Sequence, residues 1–252
     1  MKIYYRDEGN GAPLLFLHGG WGYKIYPFNR QLEALGKEFR IIIPDRSGYG
    51  RSTRLVEDLP LDFHYRAATE TLSFMDSLGI ERAFLWGHSD GAVIAAILGF
   101  RAPERVGGLI LEAFHFYRVK PGSREFFEAL AHRPETLSPE LREKFERELG
   151  ADYWRGLITS HAKAWLQMAD ESLDREDDPY AGRLREITAP TLIIHGRLDP
   201  RTEPGELDAM RRQLPQSEMR ILDDGSHSPH SESATADLVN EIAHSFLHRL
   251  TS

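Results

Sequence analysis

The chain has 252 residues, 41% of them hydrophobic, which is enough for one large α/β domain or two small ones with a sizeable core. Its formal net charge of −8 and the lack of any basic run argue against nucleic acid and anionic membranes as partners. The absence of cysteine excludes disulfides, thiolate nucleophiles and cysteine-based metal sites. The N-terminus lacks the apolar core of a signal peptide and no apolar run is long enough to span a membrane, so we expect a cytoplasmic protein.

The N-terminal part of the chain predicts strands at residues 2–6 and 13–17, separated by a glycine-rich turn at 8–11. The second strand runs directly into His-Gly-Gly-Trp-Gly at 18–22. Glycines at such a place indicate backbone that approaches another group closely, and its amides could bind a developing oxyanion. A simple tight turn is the alternative.

Alternation of strands and helices continues through the next eighty residues. The pattern predicts a helix at 28–38, a strand at 39–43, a helix at 65–78, a strand at 83–86 and a helix at 92–100. We interpret the loop at 44–52, which contains Asp45, as structural.

A Gly-x-Ser-x-Gly pattern joins the last of these strands to the last helix. It comprises residues 87–91 and has Ser89 at its centre. This is the pattern of the nucleophile elbow, in which a serine occupies a sharp turn that only neighbours without side chains permit. Short patterns of this kind occur by chance, but the strand-turn-helix context is present here, so we predict that Ser89 is a nucleophile.

A helical insertion is predicted after the next strand, which spans residues 106–111 and ends at Glu112. From 114 to 187 strand signals stop, and helices are predicted at 124–131, 139–149 and 152–167. We therefore predict a core domain formed by 1–113 and 188–252, with 114–187 as a helical cap. The acidic stretch 174–179 is interpreted as a solvated loop, and we expect neither a metal ion nor a cofactor.

Strand signals return in the C-terminal part, with strands at 191–195 and 219–222 and helices at 206–214 and 233–250. The alternation predicts a mostly parallel sheet with helices on both faces. Asp199 and His227 follow the two strands, as Ser89 follows its own. Because the carboxyl ends of parallel strands meet at one crevice, we expect these three side chains to lie together.

The motifs at the strand ends resemble those of the α/β-hydrolase superfamily, and the resemblance spans essentially the whole chain. They occur in the chain order Ser, Asp, His that this superfamily shows. The five matching segments are residues 18–20, 44–50, 87–91, 195–199 and 225–227. Family members usually begin with a two-strand hairpin, whereas this chain has room for one strand, so we expect a sheet trimmed to seven strands.

The resemblance implies roles for individual residues. Ser89 would be the nucleophile, His227 the base and Asp199 its orienting acid, and the backbone amides of Gly20 and Asp90 would form the oxyanion hole. Asp90 and the segment 150–166 resemble the valacyclovir hydrolase (biphenyl hydrolase-like) group, in which the acid after the serine is implicated in holding a substrate amine. The second glycine often seen after such an elbow is Ala92 in this chain.

Other side chains compete for the same roles. His230 lies three residues from His227 and is the alternative base, and Glu112, at a strand end, is the alternative acid. Among the aromatic residues, Trp21 and Phe114 each adjoin a catalytic strand end, so we predict that both line the substrate pocket.

These features predict a serine hydrolase that cleaves small carboxylic esters, including aminoacyl esters, through an acyl-enzyme on Ser89. The alternatives are a carbon-carbon bond hydrolase, a lactonase or a peptidase on the same triad, and a non-catalytic ligand receptor on the hydrolase scaffold. The only partner we expect is a small-molecule ester, bound by a monomer or a homodimer.

Overall fold

The computed structural model describes residues 2–251. It contains one seven-stranded sheet in the order β1-β3-β2-β4-β5-β6-β7 within these residues. The strands are β1 (Tyr5–Glu8), β2 (Ala12–Leu17), β3 (Phe39–Pro44), β4 (Ala83–His88), β5 (Val106–Glu112), β6 (Thr191–Gly196) and β7 (Glu218–Leu222). The α-helices are α1 (Asn29–Leu35), α2 (Phe63–Ser77), α3 (Asp90–Arg101), α4 (Pro121–His132), α5 (Pro139–Leu149), α6 (Trp154–Asp170), α7 (Glu206–Gln213) and α8 (Ala236–Thr251).

The sheet is parallel except at one edge, where β1 pairs with β3 in the antiparallel direction. The predicted mostly parallel sheet is therefore confirmed, as is its size of seven strands. The order places β4 in the centre, with β2 on one side and β5 on the other. The carboxyl ends of β2, β4, β5, β6 and β7 accordingly lie along one edge, where side chains from all five strands can meet.

The strands are buried on both faces, which explains their nearly continuous apolar sequences. Successive residues of β2 alternate between two cores: Leu15 and Leu17 pack with α2 and α3, whereas Leu14 and Phe16 pack with α1 and α8. Helix α3 is buried from its first residue to Phe100, so it lies within the first of these cores rather than on its surface.

Helices α4, α5 and α6 are inserted between β5 and β6 and pack around a third core, to which Ile25 and Tyr49 from the loops after β2 and β3 also contribute. In it the rings of Phe145 and Trp154 stack with 5.6 Å between centroids. Helix α4 begins at Pro121, three residues before its predicted start, because proline is well suited to the first turn of a helix. The domain boundaries at 114 and 187 stay a prediction.

Candidate active site

Ser89 lies at the turn between β4 and α3, and its backbone is in a region that side chains rarely adopt, with φ 54° and ψ −121°. The turn is tight on both sides. A Cβ atom added to Gly87 would lie 2.2 Å from the carbonyl oxygen of Gly91, and one added to Gly91 would lie 1.8 Å from that of Leu17. The two glycines of the pattern are therefore required by the close approach of the backbone, and the turn raises Ser89 above the carboxyl edge of the sheet.

The structure brings together the three residues predicted as a catalytic set. Ser89 Oγ is 3.1 Å from His227 Nε2, and His227 Nδ1 is 2.9 and 3.0 Å from the two carboxylate oxygens of Asp199. These contacts orient the imidazole so that Nδ1–H donates to the carboxylate and Nε2 can accept the serine proton.

Asp199 is ionised in this arrangement. Burial opposes its charge, but the hydrogen bond and charge of His227 and the charge of His195 hold the pKa of Asp199 well below its usual range. The amide of Arg201 also donates to Asp199 Oδ1 at 2.8 Å. A permanent carboxylate can stabilise the imidazolium that forms when His227 takes the serine proton.

The loop after β2 is held against the nucleophile by Arg46. The Arg46 amide donates to His18 Nε2 at 3.1 Å, and its guanidinium donates to the carbonyl oxygen of Gly19 at 2.9 Å.

In the part of the chain that the structure describes, the amides of Gly20 and Asp90 have no hydrogen-bond acceptor. The oxyanion hole predicted from these two amides stays a prediction.

The Asp90 carboxylate is buried beneath this loop and is surrounded by donors. Its Oδ1 is 3.0 Å from His64 Nε2 and 3.1 Å from Trp165 Nε1, and its Oδ2 is 2.5 Å from His161 Nε2. Burial opposes its charge, but the charge of His161 and the hydrogen bonds from both histidines hold the pKa of Asp90 well below its usual range. Because His161 and Trp165 belong to α6, this carboxylate links the inserted helices to the nucleophile elbow.

A cavity of about 200 Å³ opens above Ser89. Trp21 and Asp90, which the sequence analysis assigned to a substrate pocket, lie in its wall, and their role in substrate binding stays a prediction. Phe114 does not: it is fully buried in the core, where its ring packs on Tyr180 with 5.3 Å between centroids. The chain turns at Ala113, whose φ is 48°, and after this turn His115, rather than Phe114, lines the cavity. The cavity is lined by Gly19, Gly20, Trp21, Tyr26, His88, Ser89, Asp90, His115, Phe126, Phe127, His161, Trp165, Pro200, Arg201, Ser226 and His227.

Three histidines near the nucleophile were missed by the sequence analysis. His115 and His161 line the cavity, and His64 supports Asp90 from α2. Each stands alone in a loop or helix, without a motif around it. Only the tertiary structure brings them to one place, so no local signal could have identified them.

His230 and Glu112, the alternative base and acid, pair with each other. They do not join the hydrogen-bond relay that runs from Ser89 through His227 to Asp199. His230 Nδ1 and its amide each lie 2.8 Å from Glu112 Oε1, and Trp86 Nε1 donates to Glu112 Oε2 at 2.8 Å. Burial opposes the charge of Glu112, but the charge and hydrogen bonds of His230 lower the pKa of Glu112 to about 2. This buried pair lies under the site and holds the loop that carries His227.

Glu112 should make folding stability depend on pH on the acid side. Its pKa is about 2 in the folded protein and 4.5 in its ordinary state, so its contribution is present above pH 4.5 and is lost as the pH falls toward 2. The full difference corresponds to about 3 kcal/mol. Urea unfolding between pH 3 and 6 should show a flatter pH dependence for Glu112→Gln than for the wild type. Equal slopes would contradict this role of Glu112.

No group of three metal-ligating side chains is arranged around a common point in residues 2–251, and none of their helices is both long and apolar enough to cross a bilayer. The chemistry available at the site is that of the serine, the imidazole and the carboxylate. A serine hydroxyl activated by an imidazole is the nucleophile of acyl transfer, and this places the chain among the serine hydrolases.

The match to a known family agrees with this class. Residues 14–241 match the model of the alpha/beta hydrolase family, and the chain belongs to that family. It is 26% identical to serine hydrolase BPHL of Homo sapiens over 250 residues, which cover 98% of this chain and 83% of the human protein. It is 28% identical to a probable proline iminopeptidase of Leptolyngbya boryana, with 90% of this chain and 85% of that protein covered.

Solved structures show the same fold. A thermophilic esterase from Thermogutta terrifontis superposes with a TM-score of 0.74 at 24% identity, covering 99% of this chain and 94% of that chain. The α/β-hydrolase fold and the membership of the superfamily predicted from the sequence are thus confirmed.

Proposed function

We propose that this protein hydrolyses small carboxylic esters through an acyl-enzyme on Ser89. The observation that carries the proposal is the continuous relay from Ser89 through His227 to Asp199 at the wall of a cavity of about 200 Å³. A cavity of this size matches a short acyl group and a small alcohol.

The relay supplies each proton transfer that ester cleavage requires. His227 takes the hydroxyl proton as Ser89 Oγ attacks the carbonyl carbon, and it then gives the proton to the departing alcohol oxygen. Water then loses a proton to His227 and attacks the acyl carbon. The bond from that carbon to Ser89 Oγ breaks, and His227 returns the proton to Oγ as the carboxylic acid leaves. The amides of Gly20 and Asp90 are the groups we propose for stabilising the oxyanion in both steps.

The cavity wall favours esters with an apolar acyl or alcohol part. Its aromatic residues come from the loop after β2 and from the inserted helices α4 and α6. The guanidinium of Arg201 lies over the ring of Phe126 at 3.2 Å from its centroid. Arg201 thereby completes the cavity wall beside the loop after β6, which carries Asp199. Burying apolar substrate atoms in such a wall contributes binding free energy in proportion to their area.

Aminoacyl esters are a narrower substrate class that Asp90 supports. A carboxylate can accept about four hydrogen bonds, and three donors contact Asp90, with only His161 on Oδ2 among the described residues. A substrate ammonium group could therefore share Oδ2 with His161. The name of one relative, a probable proline iminopeptidase, is compatible with substrates that carry an amine near the scissile bond.

The experiment that tests the proposal is turnover of p-nitrophenyl acetate, p-nitrophenyl butyrate and an aminoacyl ester by the wild type between pH 5 and 9, with the acylated residue located by mass spectrometry. We expect turnover of the esters and the acyl group on Ser89, because Ser89 Oγ is the hydroxyl that contacts His227 Nε2. If none of the esters is hydrolysed, the proposal is wrong, and amides and carbon-carbon substrates become the next panel.

The same panel with Asp90→Asn tests the narrower class. Loss of the negative charge should lower the ratio of aminoacyl to plain ester hydrolysis by about 10-fold, since a close ion pair in a partly dry site contributes a few kcal/mol before desolvation. An unchanged ratio would leave plain esters as the substrate class.

A further inference from the structure

A second histidine contacts the nucleophile, and the relay does not use it. His115 Nε2 lies 3.3 Å from Ser89 Oγ, compared with 3.1 Å for His227 Nε2. The two imidazole rings stack against each other, with 5.6 Å between centroids and 23° between planes. His115 is only 7% exposed and forms part of the cavity wall.

The position of His115 is held from several sides. The hydroxyl of Tyr180 donates to its backbone carbonyl, and the ring of Trp165 meets its imidazole edge-on at 5.5 Å. The next two residues are anchored as well, because the amides of Phe116 and Tyr117 both donate to Glu206 Oε1. A side chain held in this way keeps its place beside Ser89 without help from a substrate.

His115 is neutral at the pH at which the relay works. Burial lowers its pKa well below 6.5, and the charges of Lys120 and His227 lower it further, whereas Asp199 and Asp90 oppose this effect. A neutral imidazole has one N–H group and one lone pair, and the proton can be on either nitrogen.

The proton count at Ser89 decides which tautomer is productive. The hydroxyl has a single hydrogen, and His227 Nε2 must receive it because the Nδ1–H of the same ring is donated to Asp199. If His115 Nε2 carried a lone pair, it would compete with His227 for that hydrogen. If His115 Nε2 is protonated, its N–H donates to Ser89 Oγ, and the hydroxyl proton stays directed at His227.

We propose that His115, with its proton on Nε2, donates a hydrogen bond to Ser89 Oγ and assists the departure of that oxygen from the acyl-enzyme. The inference rests on the proposed acyl-enzyme function and assigns a catalytic role to a residue outside the triad. Its contact is with the oxygen that is the nucleophile in the first half of the reaction and the leaving group in the second.

The second half is where the donor has its largest effect. Hydroxide derived from water adds to the acyl carbon while His227 holds the water proton. The bond from that carbon to Oγ then breaks, Oγ takes the electron pair, and His227 returns the proton to Oγ. The N–H of His115 stabilises the negative charge that develops on Oγ and keeps its own proton throughout. A donor to a charged oxygen is worth more than one to a neutral hydroxyl, so deacylation gains more than acylation.

The test is pre-steady-state hydrolysis of p-nitrophenyl butyrate by His115→Phe and His115→Gln. Phenylalanine keeps the ring without a donor, whereas the glutamine amide can place an N–H near the former Nε2. For His115→Phe we expect deacylation to slow about 10- to 100-fold, with a burst of one p-nitrophenol per site, acyl-enzyme visible by mass spectrometry, and KM falling together with kcat. His115→Gln should recover much of the deacylation rate.

Active sites are counted by titration with a fluorophosphonate, so that rates refer to folded protein, and His132→Phe on the exposed end of α4 is the matched control. A His115→Phe enzyme without a burst and with wild-type kcat overturns the inference. So does an equal loss in the glutamine and phenylalanine variants with acylation and deacylation slowed alike, because that pattern reports a packing defect. If the wild type reacts with the fluorophosphonate but hydrolyses no ester, the proposed function itself fails, and the inference fails with it.

Discussion

Replacement of Ser89 by alanine should lower kcat/KM for p-nitrophenyl butyrate by about 10⁶-fold, which is the scale seen when a serine nucleophile is removed from a comparable relay. In the proposed mechanism the Ser89 hydroxyl oxygen is the atom of the relay that bonds to the substrate carbon. Among the described residues that line the cavity, the other serine is Ser226, which precedes His227 in its own loop. The measurement is steady-state hydrolysis. The control for loss of the nucleophile is that Ser89→Ala no longer reacts with a fluorophosphonate. Turnover by Ser89→Ala within 100-fold of the wild type would show that another group performs the reaction.

Asp199→Asn supplies a graded comparison within the same relay. The amide keeps the shape of the carboxylate but can donate to His227 Nδ1, which would move the ring proton to Nε2, where it blocks acceptance from Ser89. An effect of about 10⁴-fold is therefore expected, smaller than that of the serine but far above that of a peripheral residue. If Asp199→Asn and Ser89→Ala lower kcat/KM by the same factor, Asp199 is also needed for the folding of its own loop, which follows β6.

The elbow and the triad could be predicted because local sequence determines their positions. At Gly87 and Gly91 any side chain would collide with backbone, so the pattern around Ser89 is a direct consequence of the turn. Asp199 and His227 follow strands whose carboxyl ends must lie at the same edge of a parallel sheet. For these residues, knowledge of the element and its end was sufficient to predict proximity.

The cavity wall could not be predicted in this way. Whether Phe114 or His115 faces the cavity depends on the turn at Ala113, with its φ of 48°, and nothing in the apolar run of β5 indicates such a turn. His161 reaches Asp90 from the middle of α6, across an insertion whose packing on the sheet is set by many weak contacts. The residues proposed to adjust the reaction therefore come from tertiary packing, whereas those proposed to perform it follow strand ends.

Gly91→Ala should lower the free energy of unfolding by about 4 kcal/mol or more, an effect at the upper end of those seen for single substitutions. The added methyl carbon would lie 1.8 Å from the carbonyl oxygen of Leu17 and 2.5 Å from its carbonyl carbon. Both atoms belong to the backbone of β2, which is paired on either side in the sheet, so α3 must move away from β2 and take Ser89 with it. Ester turnover should fall together with stability.

Gly156→Ala is the matched control, because Gly156 is also in a helix, and among the described residues no atom beyond its neighbouring helix backbone lies within 4 Å of its added Cβ. There the alanine should raise stability by about 0.5 to 1 kcal/mol, since glycine loses more conformational entropy on folding. Thermal unfolding separates the two variants: a loss of 4 kcal/mol corresponds to a melting temperature lower by roughly 10 °C for a protein of this size. If Gly91→Ala melts within 2 °C of the wild type, the close approach of α3 and β2 is not a requirement of the elbow, and the second glycine of the pattern needs another explanation.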